Sequence, residues 1–165
     1  MDKYQKKYVE LPNKETYAYL EQGSGKDTIL LLHGNMSSSL YFYDFLDRMK
    51  SEKDYRIIAL DLRGFGDSSY VNRFDSFDDL ADDVILFCQL LKIPTCFLVG
   101  WSAGAAVSYR IIAKKPGLVT KFVSLSGASY RGYPIFKKTS DFKSIQGSIY
   151  LSKDEMSRDP VQVLP

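Results

Sequence analysis

Gly100-Trp101-Ser102-Ala103-Gly104 follows the short apolar run Cys96 to Val99 and precedes a segment, Ala103 to Lys114, whose apolar residues recur at helical spacing. A serine in the pattern G-x-S-x-G, with a strand before it and a helix after it, reads as a nucleophile, and the spacing has a physical reason. Ser102 has to adopt a strained backbone conformation for its Oγ to stand above a sheet, and glycines at 100 and 104 remove Cβ atoms that would clash in so tight a turn. An ordinary N-cap serine needs no glycine on either side. Ala103, Gly104, Ala105 and Ala106 keep the first helical turn slim. The helix can then approach the strands closely, with its N-terminal amides directed to where negative charge develops.

Working outward from this turn, buried strands alternate with helices. Thr28 to Leu32 is a continuous apolar run, as in a strand buried on both faces, and the polar loop His33 to Ser39 follows it. Phe42, Phe45, Leu46 and Met49 predict a helix over Ser39 to Lys50 with one apolar stripe. Arg56 to Leu60 is the next strand and leads into the glycine-bearing loop Asp61 to Ser68. Ser76 with Asp79 resembles a capping box opening a helix whose inner face is Phe77, Leu80, Ala81, Val84, Cys88 and Leu91. The carboxylates Asp78, Asp79, Asp82 and Asp83 read as a solvated face near the positive helix end, because no oxygen-cage loop accompanies them. After Cys96 to Val99 and the helix from Ala103, Pro116-Gly117 closes the helix and Lys121 to Leu125 is a fourth buried strand. At the other end, Lys7 to Leu11 and Thr16 to Glu21 read as a hairpin joined through Pro12-Asn13. The order predicts an α/β fold: a mostly parallel, doubly wound sheet with an N-terminal antiparallel hairpin, taking ligands beyond the C-terminal strand ends.

The composition excludes several alternatives. With 22 Lys+Arg against 20 Asp+Glu and no basic stripe, nucleic acid is not an expected partner. The charged start, MDKYQKKYVEL, does not resemble a signal peptide, and no apolar run is long enough to span a bilayer, so a cytoplasmic location is expected. Cys88 and Cys96 read as buried free thiols. Gly23-Ser24-Gly25-Lys26 looks like part of a phosphate loop. It fails because Leu20 replaces the first glycine, Asp27 the Ser/Thr, and a strand follows where a helix is needed.

Three motifs in order, His33-Gly34-Asn35, then Asp61-Leu62-Arg63-Gly64-Phe65-Gly66-Asp67-Ser68, then the Ser102 turn, resemble the α/β-hydrolase fold superfamily in its serine esterase, lactonase and peptidase-like branch. The resemblance runs from about Tyr8 to Ser129. It implies Ser102 as nucleophile, the backbone amides of Asn35 and Ala103 as the oxyanion hole, and His33, Gly34, Gly100, Trp101 and Gly104 as residues that shape the elbow and the loop. It implies a small-molecule acyl substrate, with no cofactor and no metal. Relatives that open epoxides or displace halide share the His-Gly-Asn loop but carry Asp where Ser102 stands; serine implies an acyl-enzyme route. Tyr41, Phe42, Tyr43 and Trp101 flank the motifs, either as an apolar acyl pocket or as core.

His33 is the only histidine, and in this family the base comes after the last strand, so neither the catalytic acid nor the base is expected among these residues. Residues 1–130 read as the N-terminal part of the core and 131–165 as the start of a cap. Asp159-Pro160 announces a helix that the sequence does not complete, and Lys121 to Leu125 would be left as an edge with Phe122, Val123 and Leu125 exposed, so a truncated form lacking the final strands is expected. The alternative is a non-catalytic binding protein or pseudoenzyme that keeps the elbow. Oligomeric state is left open.

Overall fold

A computed structural model of the chain describes residues 5–127. Among these, the strands are β1 (Lys7–Glu10), β2 (Thr16–Gln22), β3 (Asp27–Leu32), β4 (Tyr55–Leu60), β5 (Cys96–Trp101) and β6 (Val119–Leu125), and the helices α1 (Tyr43–Arg48), α2 (Phe77–Leu90) and α3 (Ala103–Lys114). They form one sheet in the order β1-β2-β4-β3-β5-β6. β1 and β2 are an antiparallel hairpin, β2 pairs antiparallel with β4, and β4, β3, β5 and β6 run parallel. The segment 131–165 expected to begin a cap, with Asp159-Pro160, lies outside the described residues.

Side chains alternate across the sheet with the period of two that a strand imposes. Leu30 and Leu32 of β3, Ile58 and Leu60 of β4 and Cys96 and Leu98 of β5 face α2 and α3, together with Val84, Phe87, Val107 and Ile111. Ile29 and Leu31, Ile57 and Ala59 face the other way, onto Phe42 and onto Leu46 of α1. Both faces are covered, which is why the central strands read as unbroken apolar runs. No helix among the described residues is long and apolar enough to cross a membrane. At the suspected phosphate loop, Gly25 donates to the Tyr55 carbonyl at 3.3 Å and β3, not a helix, follows.

Two sequence expectations are corrected. The predicted helix over Ser39 to Lys50 is a 3-10 turn, Ser39–Phe42, followed by a shorter α1. The Ser39 amide is held by the Asp61 carboxylate at 2.6 Å and Ser38 Oγ accepts from Leu40, so the chain starts in a tight turn. That turn advances more per residue than an α-helix and rotates the stripe. Phe42 and Leu46 keep the core while Phe45 is exposed.

The second concerns α2. Its capping box is formed by Ser76 and Asp79 as expected, but Phe77 is exposed and Asp83 is buried. Asp83 lies three residues after Leu80 and four before Phe87, on the inner stripe itself. Its carboxylate receives Arg63 in a bidentate pair (Nε to Oδ2 2.7 Å, Nη2 to Oδ1 2.6 Å), the Tyr17 hydroxyl at 2.7 Å and the Asn13 amide at 2.7 Å. Glu15, also buried, accepts from Ser69 Oγ and from the Val71 and Asn72 amides. This polar cluster ties β2, the loop after β4 and α2 together. Asp78 and Asp82 do face outward, pairing with Arg110 and Lys114 of α3.

Cys88 and Cys96 are free and buried, as expected. Burial pushes both thiols up, Cys96 to about 12. At the β6 edge of the described sheet Val123 and Leu125 are exposed, whereas Phe122 packs edge-on against Tyr109 at 5.2 Å between ring centroids.

Removing one partner of a buried pair strands the other charge. Asp83→Ala should therefore lower unfolding stability in urea by about 3 to 5 kcal/mol. Arg63→Met should cost at least as much, since Arg63 also stands 3.8 Å from the buried Glu15 carboxylate and its loss strands two charges.

Candidate active site

Ser102 is the single residue between the end of β5 and the start of α3. Its backbone, at φ 52° and ψ −113°, is in a region that L-residues rarely occupy. Bonds on both sides hold it there: its N–H donates to the Leu125 carbonyl at 3.0 Å, and its own carbonyl accepts from Ala105 at 3.0 Å. The side chain is half-buried and caps no helix amide. Gly100 is buried near the end of β5, where a Cβ would stand 2.6 Å from Ser108 Oγ and 2.7 Å from Ala105 of α3.

Two glycines let the end of β3 meet this turn. A Cβ on Gly104 would stand 2.6 Å from the His33 carbonyl oxygen and closer still to that of Leu32, so only glycine allows α3 to begin against the end of β3. On the facing loop, a Cβ on Gly34 would come within 2.9 Å of the Trp101 indole and 3.2 Å of Ser102 Cβ. The next residue, Asn35, is exposed, and its Oδ1 accepts from the Met36 amide at 3.0 Å in a turn where Met36 has φ 54°. Its side chain is thus committed locally. Among the described residues the Asn35 amide donates to no backbone carbonyl, and the Ala103 amide, first in α3, has no intrahelical acceptor.

His33 is fully buried. Its Nε2 accepts the Leu62 amide at 3.0 Å, which leaves the hydrogen on Nδ1, 2.7 Å from the Gly34 carbonyl that accepts it. Both nitrogens are used in fastening the loop to the end of β4. Burial pushes the imidazole below its ordinary 6.5, against the upward pull of the Gly34 carbonyl and the Asp61 charge. Asp61 fastens the same region: it takes the Asp67 amide at 2.9 Å, Lys6 Nζ at 2.6 Å and the Ser39 amide. Burial alone would raise its carboxyl, yet these donors hold it below the ordinary 3.8.

Of the four aromatics near the motifs, Phe42 is buried and Tyr43 packs against the α1-side core. Tyr41 and Trp101 stand at the site, their rings parallel within 5° and 4.0 Å apart. The sequence contained both residues but no spacing that would pair them. Among the described residues no group of three His, Cys, Asp or Glu side chains could hold a metal ion. A cavity of about 430 Å3 lined by Ile85, Cys88, Ile93, Pro94 and Leu118 lies at the amino-terminal end of β5, away from Ser102, and its one thiol is held protonated by burial.

Residues 27–147 match the family model described as alpha/beta hydrolase fold. The uncharacterized hydrolase YugF of Bacillus subtilis is 30% identical over 148 residues, covering 87% of this chain and 54% of YugF. Serine hydrolase BPHL of Mus musculus is 30% identical over 152 residues, covering 88% of this chain and 50% of BPHL. Among solved structures, epoxide hydrolase VrEH1 from Vigna radiata superposes with a TM-score of 0.66 at 26% identity, covering 77% of this chain and 41% of that one. The chain spans about half the length of the curated relatives it matches.

The buried imidazole yields a pH signature. Because the folded value lies below 6.5, the unfolded chain takes up the proton first as pH falls. Stability is then held above pH 6.5 and lost as pH drops through the folded value. Urea unfolding at a series of pH values should show this loss well before the one near 3.8 and below, where Asp61 is protonated. His33→Asn should remove the upper slope and keep the lower one; an unchanged upper slope would assign it to another group.

Proposed function

Because the chain belongs to the α/β hydrolase fold family, we propose that Ser102 is the nucleophile of a serine hydrolase acting on a small ester, lactone or related acyl compound. The observation that carries this reading is the positive-φ backbone of Ser102 at the strand-to-helix tip, with the loop at Gly34 against its Cβ. A strained serine whose hydroxyl has no hydrogen-bond partner among the described residues is costly to keep for packing alone.

In the proposed reaction Ser102 Oγ forms a bond to the substrate carbonyl carbon while its proton passes to a base. The negative oxygen that results is held by the Asn35 and Ala103 amides, each worth about 3 to 4 kcal/mol of barrier. Collapse expels the alcohol, which takes the proton from the base, and leaves an acyl-enzyme. Water, activated by the same base, then releases the acid and restores the serine. The reading is supported by the mouse relative named as a serine hydrolase. The neighbour VrEH1 is an epoxide hydrolase, but a serine at position 102 suits acyl transfer rather than epoxide opening.

His33 serves this proposal as a loop residue, since both of its nitrogens are engaged. The base and its acid partner are therefore proposed to come from sequence outside these 165 residues. Residual catalysis by an oxyanion hole and binding alone is on the order of a thousandfold over water in serine proteases, small beside a full triad.

Three proteins assayed on one short-chain activated ester test this: the 165-residue chain, the chain extended by its downstream gene sequence, and Ser102→Ala in the extended form. The first should show little hydrolysis and little labelling by a fluorophosphonate, the second should gain several orders of magnitude, and the third should lose that gain. An extended protein with neither labelling nor turnover would favour a binding protein that keeps the elbow. Strong labelling of the isolated chain at Ser102 would mean that a base is already present.

A further inference from the structure

We propose that the Tyr41–Trp101 stack is a recognition wall for an uncharged planar aromatic acyl group, which makes aromatic esters the preferred substrate class. The inference rests on the reading that the substrate carbonyl lies at Ser102. Trp101 is covalently adjacent to Ser102, and its indole lies 2.9 Å from the point that a Cβ on Gly34 would take. The same point is 3.2 Å from Ser102 Cβ, so a group held at Ser102 Oγ has the indole as a neighbour.

The stack has an open side. Tyr41 is 55% exposed although its ring already covers Trp101 at 4.0 Å and meets Phe42 edge-on at 5.5 Å. Beside it Leu40 and Met36 are also exposed, Met36 at 89%, and the soft thioether of methionine suits the edge of an aromatic ring. The surroundings set the charge of the occupant. From Gly34 to Tyr43 and from Gly100 to Ser108 the sequence has no Asp, Glu, Lys or Arg, so a carboxylate or ammonium would find no counter-charge on these two segments. A flat apolar ring gains both from burial and from offset or edge contact with the tyrosine, and a saturated ring of equal size gains only from burial.

Trp101 is the only tryptophan in the chain, so its fluorescence reports on this wall and on nothing else. Titrations of the full 165-residue chain carrying Ser102→Ala, excited to select tryptophan, would use methyl benzoate, methyl cyclohexanecarboxylate and monomethyl terephthalate, whose ring bears a carboxylate. Methyl benzoate should give a saturable change, with affinity about fivefold or more above methyl cyclohexanecarboxylate, and the ring carboxylate of monomethyl terephthalate should weaken binding further. Tyr41→Ala should erase the difference between the two uncharged esters and Tyr41→Phe should keep it, since the ring and not the hydroxyl makes the wall. Equal affinity for the two esters in the unsubstituted wall, a preference that survives Tyr41→Ala, or no saturable change with any probe would overturn the proposal. The comparison of two esters on one protein needs no wall variant to fold. Binding is read with no bond made, so aromatic preference without hydrolysis in the extended protein would defeat the hydrolase reading alone. Hydrolysis without aromatic preference would defeat this inference alone.

Discussion

The end of β3 and the start of α3 approach so closely that no side chain fits between them, and the rest of the site depends on that contact. Gly104 removes the obstacle on the helix side and Gly34 removes it on the loop side. With both absent as side chains, the Ser102 turn, the first amides of α3 and the loop after β3 converge at one sheet edge. The slim Ala-Gly-Ala-Ala turn is what permits the contact. The strained φ of Ser102 is what it costs, and the bonds to Leu125 and Ala105 hold the residue there.

Around this contact the fold uses buried polar groups as fasteners. His33 is bonded through both ring nitrogens, Asp61 gathers amides from two loops and an ammonium from the N-terminal segment, and Asp83 with Arg63 joins α2 to the loop after β4. Such groups are expensive to desolvate and acceptable only when their hydrogen bonds are satisfied. Each of the three lies at or reaches to the carboxyl ends of β3 and β4. Polar cost is thereby concentrated where loops must be fixed, and the sheet centre stays apolar.

The order of strands and helices was legible because buried parallel strands and one-faced helices leave simple periods, and the Ser102 turn was legible because its glycines are required by sterics. What escaped was long-range pairing of polar residues. Asp83 sits on the apolar stripe of α2, but its partners lie 20 residues away at Arg63 and 66 away at Tyr17, and charge in a helix's first turns normally signals solvent. The Ser39 to Phe42 turn was read as regular helix because the Asp61 carboxylate that holds its first amide is 22 residues distant. Likewise the stacking of Tyr41 on Trp101 spans 60 residues of sequence and has no local signature. Local physics is written in local spacing, and contacts made only in three dimensions are not.

The two thiols have a consequence of another kind. Cys88 on α2 and Cys96 on β5 belong to the same core cluster, and burial keeps both in the unreactive protonated form. A thiol-specific reagent finds no nucleophile until α2 lifts away from β5. When reclosing outpaces alkylation, the rate of modification measures how large a fraction of molecules is open; when alkylation is faster, it measures how often they open. The two residues with no part in the site's chemistry thus act as a clock for breathing of the layer on which the Ser102 turn is mounted.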